Sequence, residues 1–102
     1  MTKVVAIRDK RKAYEEKLDA QLDEWNAQIA LLKAKADKVK AEAKIEYYKI
    51  IEALQHREDE ARTKLHELMT ASDEAWEDLK TGAEKARVEV EAAFHQATSK
   101  FK

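Results

Sequence analysis

Proline is absent from this chain, and glycine occurs once, as Gly82, in 102 residues. Those two residue types supply most of the breaks between structural elements. A chain without them, rich in alanine and charged side chains, favours long uninterrupted α-helix. No alternating polar and apolar run survives more than a few positions, so strands are not expected.

The apolar residues repeat at helical spacing. A ladder runs Tyr14, Leu18, Leu22, Trp25, Ile29, Leu32, Ala36, Val39, Ala43, Tyr47, Ile50, Leu54. Glu58 interrupts it, and it resumes with Ala61, Leu65, Leu68, Ser72, Trp76, Leu79, Ala83, Ala86, Val90, Ala93, Ala97 and Phe101. The steps average close to the ~3.6 residues of an α-helical turn. A strict heptad would supercoil left-handed; this mixture predicts a straighter path. Tryptophan, tyrosine and leucine at such regular spacing also argue against disorder.

Charged residues make up 40% of the chain, yet the net charge is only -1. Much of the 44% apolar content is alanine, which buries little area. At about 25 cal/mol per Å² buried, the bulky residues suffice for a narrow seam between helices rather than a thick globular core. The expected fold is therefore all-α: a long amphipathic helix or coiled coil forming one elongated domain over residues 1–102. One helix is expected from about Val5 to Lys80, then a kink at Gly82 and a short C-terminal helix to about Phe101, a glycine tolerated within a continuous helix being the other reading of Gly82. Thr81 and Glu84 fit a capping box at that kink. The alternatives are a helical hairpin turning around Gln55–Glu60 and a three-helix bundle.

An isolated helix of this kind exposes its apolar stripe, and self-association is the expected remedy. The expected seam comprises Tyr14, Leu18, Leu22, Trp25, Ile29, Leu32, Val39, Tyr47, Ile50, Leu54, Leu65, Leu68, Trp76 and Leu79. Residues 33–49 carry six basic and three acidic side chains, whereas residues 58–78 carry eight acidic and two basic ones. Two antiparallel copies about an axis near Leu54 would set basic block against acidic block. Trp25 would then face Gly82 and Ala83, and Tyr47 would face Ala61. The expected partner is a second copy of the chain in a homodimer or higher oligomer, with another protein partner also open.

Chemistry is sparsely represented. Cysteine is absent, which excludes disulfides and thiolate metal sites. Glu52, His56 and Glu60 share a helix face, and Glu91 and His95 form a second i, i+4 pair; both read as exposed, salt-bridged histidines rather than metal ligands. His66 stands apart from both. Ser72 and Ser99 lack a nucleophile context, and a lone glycine cannot build a phosphate loop. No catalytic residue and no cofactor is expected, and the reading is a non-enzymatic protein.

Val4-Val5-Ala6-Ile7 is too short an apolar run for a signal-peptide core or a membrane span, so a cytoplasmic location is expected. Lys10–Lys12 and Lys33–Lys49 are basic, but the near-neutral total and the acidic block weigh against a dedicated nucleic-acid binder. Residues 83–101 offer a rival role at a membrane surface. Val88, Val90, Phe94 and Phe101 with Lys85, Arg87, Lys100 and Lys102 make an amphipathic segment able to lie in a lipid interface.

Three stretches carry a resemblance: Ala20-Gln21-Leu22-Asp23-Glu24-Trp25-Asn26-Ala27, Ser72-Asp73-Glu74-Ala75-Trp76-Glu77-Asp78-Leu79-Lys80, and Ser99-Lys100-Phe101-Lys102. Together they resemble a family of small bacterial coiled-coil proteins of about this length, named after a cyanobacterial stress-response protein and found also in proteobacteria. The resemblance spans about Tyr14 to Lys102, and the two tryptophan-centred motifs are its specific part. It implies a small, all-helical, non-enzymatic protein linked to stress adaptation, with no catalytic residues to carry over. The Val4–Ile7 segment is less typical of that family.

Overall fold

The computed structural model describes the backbone of residues 2–100 and the side chains of residues 8–100. Among the described residues the chain forms three helices and no strand: α1 (Thr2–Ala36), α2 (Ala41–Thr70) and α3 (Asp73–Lys100). The molecule measures 61 × 20 × 18 Å. A continuous helix of roughly 90 residues would span about 135 Å, so the chain has folded back on itself. The expected helix from Val5 to Lys80 is thus divided at Asp37–Lys40 and again at Ala71–Ser72.

Neither turn contains glycine or proline. At the first, the Asp37 N–H still donates to Lys33 O at 3.1 Å, but the Lys38 and Val39 N–H groups reach Lys35 O and Ala36 O, three residues back. The helix tightens as it ends, a usual way of satisfying terminal carbonyls. Lys40 is extended (φ -63°, ψ 150°), and α2 starts with no side-chain cap. Asp37, a residue suited to turns, accepts a hydrogen bond from the Tyr48 hydroxyl on α2. Nothing here demands a break. Folding back is favoured because it covers the ladder, whose burial outweighs the few helical bonds lost.

The second turn has a local signal. Ala71 is extended (φ -76°, ψ 151°), and the Ser72 side chain accepts from the Ala75 N–H at 3.3 Å. Ser72 caps α3, and Asp73 and Glu74 follow in its first turn, where carboxylates favour the helix dipole. The Arg11 guanidinium of α1 braces this turn from outside. It donates to Leu68 O and Ala71 O, both at 3.0 Å, and to the Asp73 carboxylate at 2.7 Å.

Gly82 lies inside α3, which continues on both sides of it rather than starting a separate C-terminal helix there. Its φ is not positive, and a Cβ added there would meet nothing within 4 Å. Thr81, expected as a cap, instead donates to Glu77 O within the helix. The expected hairpin turn at Gln55–Glu60 is likewise absent, because α2 runs straight through it.

The helices run up, down and up. Arg57 of α2 pairs with Glu89 of α3 at 2.9 Å, and Glu46 with Lys100 at 3.8 Å, which fixes α2 antiparallel to α3. Helix α2 packs closely on both neighbours, whereas α1 and α3 stand further apart. Two aromatic pairs bridge that wider gap. Tyr14 meets Trp76 edge-on (5.8 Å, 86°), and Trp25 stacks on Phe94 (6.3 Å, 18°).

Candidate functional site

The residues expected to seal copies together are used within one chain. Leu18, Leu22, Trp25, Ile29, Leu54, Leu65, Leu68 and Trp76 are buried. Tyr14, Leu32, Tyr47, Ile50 and Leu79 are half-buried against that core, and Val39 is half-buried in the first turn. Trp25 accordingly meets Phe94 of its own chain. Ile51 and Phe94 join this core although neither lies on the expected seam. The segment expected to lie on lipid is also turned inward, with Val90 and Phe94 buried and only Val88 exposed among its described bulky residues. Phe101 and Lys102 lie outside the described residues. Among those described, no helix is long and apolar enough to cross a membrane.

The end of the bundle holding the second turn is closed by polar contacts. The buried Trp76 indole donates to Glu15 at 2.9 Å, and the Arg11 guanidinium lies 5.8 Å over its ring. Tyr14 donates to Glu84 at 2.5 Å, and Arg87 pairs with both Glu84 and Glu91. Burial, and then the bond to Glu84, hold the Tyr14 hydroxyl far above its ordinary pKa. The hydrogen bonds from Tyr14 and Arg87 hold the Glu84 carboxyl below the usual carboxylate range. These groups satisfy one another, and no reactive atom is left poised among them.

The histidines are peripheral. His56 is exposed, 3.5 Å from Glu60 on the same helix, and His66 and His95 are also at or near the surface. Among the described residues no three His, Cys, Asp or Glu side chains converge to hold a metal ion.

The opposite end is different. Beyond the Trp25–Phe94 layer, Thr98 is what α3 presents to the wide α1–α3 gap among the described residues. The gap is left open as a groove of about 500 Å³. Leu31, Leu32, Ala34 and Phe94 give it an apolar lining, with Gln28 and Thr98 at its edges. Leu31 is 70% exposed. Lys35 and Lys38 stand at the groove, and among the described residues neither has a carboxylate within ion-pair distance. Lys33, Lys40, Lys44, Lys49 and Lys100 occupy the same end of the bundle, against Asp37, Glu42 and Glu46. Sequence reasoning identifies the basic block but not the groove, which depends on how far apart two helices stand.

No protein-family profile, curated protein or solved structure matches this chain.

Proposed function

We propose that this chain is a non-enzymatic interaction protein, a folded three-helix module that meets its partner at the lysine-rich end. The observation that carries this reading is the open apolar groove beside Leu31 at the only end where the α1–α3 gap lacks an aromatic filler among the described residues. The aromatic anchors Trp25 and Trp76 are both spent on packing, which supports reading their motifs as fold determinants rather than reactive sites. The resemblance of those motifs to a bacterial stress-response family supports placing the role in stress adaptation.

Self-association through the ladder would require helices to be exchanged between copies, because the ladder is already covered. Sedimentation of the full chain tests this, together with titration by the neutral apolar dye Nile red. The expected result is the 11.8 kDa mass of one chain and saturable dye binding that Leu31→Asp removes without loss of helicity. A tight oligomer that dissociates only when Leu54→Asp or Leu65→Asp opens the core would overturn the reading.

A further inference from the structure

The groove at the lysine-rich end has a second property besides its apolar lining: Lys35 and Lys38 line it, and neither has a carboxylate within ion-pair distance among the described residues. Lys35 follows Leu31 and Leu32 by about one turn on α1, and Lys38 stands in the turn just beyond it. A ligand that satisfies both features needs an apolar body and a negative head. The helical part of the groove wall, from Gln28 to Lys35, is about 10 Å long at ~1.5 Å per residue. The volume of the groove lies in the range that accepts small-molecule ligands. We propose that this groove binds a single-chain anionic amphiphile of the fatty-acid class. The alkyl chain lies along Leu31, Leu32 and Phe94, and the carboxylate is held by Lys35 and Lys38. This rests on the reading of the lysine-rich end as the partner-binding surface and names what it takes.

The shape and the charges favour a free chain over a membrane surface. A helix lying on a bilayer needs a broad continuous apolar face. Here the ladder faces of α1 and α3 are turned into the core, and the exposed apolar residues at this end, Leu31 on α1 and Ile45 and Tyr48 on α2, stand on different helices. A second copy meeting this end through a two-fold axis would bring its own lysines to the same place, so like charge disfavours that contact. Asp37 does not neutralise the two lysines by pairing; its carboxylate receives the Tyr48 hydroxyl.

The two tryptophans provide an internal control. Trp25 stacks on Phe94, which lines the groove. Trp76 lies eighteen positions from Phe94 along α3, about 27 Å away at ~1.5 Å per residue. Bromine quenches indole emission only near contact. Titrating the full chain with ω-bromododecanoate, below its micelle concentration, should therefore quench Trp25 saturably and leave the emission of Trp76. Leu31→Asp should abolish the quenching while helicity is retained, because Leu31 is exposed. Lys35→Glu with Lys38→Glu should weaken binding about tenfold or more. The neutral ω-bromododecanol should bind more weakly than the acid.

Absence of quenching by the free acid overturns the proposal, as does quenching that Leu31→Asp leaves intact. Equal binding of acid and alcohol overturns it by removing the role of the lysines. Binding confined to anionic phosphatidylglycerol vesicles overturns it in favour of a membrane surface. If Nile red binds and ω-bromododecanoate does not, the amphiphile is wrong and the interaction surface stands. If neither binds, both fall.

Discussion

Glu58 occupies a ladder position and is only 5% exposed, and it is the one charged residue in the buried set among the described residues. On its own helix it sits between Leu54 and Ala61, both fully covered. Its carboxylate accepts from the Arg62 guanidinium at 2.7 Å. The Arg62 side chain is 46% exposed, so solvent screens the pair from one side. Asp19 and Asp23 of α1 add to the field that raises the Arg62 pKa, after the bond to Glu58 itself. Burying a carboxylate is costly, and an i, i+4 pair with a half-exposed partner returns little, about 0.3–0.5 kcal/mol. A methionine has similar length and would gain ~1.5–3 kcal/mol from full burial. After allowing for the lost pair and imperfect fit, Glu58→Met should stabilise the fold by about 1–2 kcal/mol. For a domain of this size that is a rise in Tm of roughly 5–15 °C.

The partner substitution should act in the opposite direction. Arg62→Gln leaves the Glu58 carboxylate covered without its cation, which should cost about 1–3 kcal/mol. In the Glu58→Met background the same Arg62→Gln change should cost almost nothing, since the group it served is gone. Urea denaturation followed by circular dichroism at neutral pH reads all four proteins of the cycle. The reasoning fails if Glu58→Met is neutral or destabilising. It fails equally if the two changes are additive, because Glu58 would then not depend on Arg62.

Two further substitutions probe other parts of the bundle. Gly82→Ala should stabilise by about 0.5–1 kcal/mol, because Gly82 lies in a continuous helix with open space where the methyl would go; a loss of stability in urea denaturation would restore the kink. Tyr14→Phe removes the hydroxyl bond to Glu84 and should cost ~0.5–1.5 kcal/mol at neutral pH. The folded Tyr14 pKa is raised above its unfolded value of about 10, so its contribution is complete below that pH and is lost as pH rises beyond it. The alkaline fall in stability should therefore be shallower in Tyr14→Phe than in the parent; identical alkaline limbs would show that Tyr14 does not carry this dependence.

The ladder made the core legible, because helical spacing depends only on neighbours along the chain. Leu18, Leu22, Trp25 and Leu54 are buried as that spacing requires. What it cannot specify is whose ladder covers whose, since a second copy and a second segment satisfy the same stripe. Ser72 was a readable boundary: a serine followed by Asp73 and Glu74 is an N-terminal signature, although Ser72 also falls on the ladder. The turn at Asp37–Lys40 carries no such signature, and its cause is tertiary. Arg11 is illegible for the same reason, as its acceptors Leu68 and Ala71 lie more than fifty residues away. The groove is illegible too, because it depends on a helix spacing set by Trp25 and Phe94, with Thr98 facing α1 beyond them.

Two departures from a stability-driven design coincide at that groove. Lysines gathered at one end repel one another, and the charges there are poorly balanced by Asp37, Glu42 and Glu46. Among the described residues the gap beside them is unfilled, although a larger residue at Thr98 would narrow it and bury apolar area on Leu31 and Leu32. At the other end Arg11, Tyr14 and the Trp76 indole pair their polar groups with Asp73, Glu84 and Glu15. Where local choices depart together from what stability favours, a functional constraint is the economical explanation. At this groove the lysines stand beside an apolar lining, and an anionic amphiphile would supply both a counter-charge and an apolar filler.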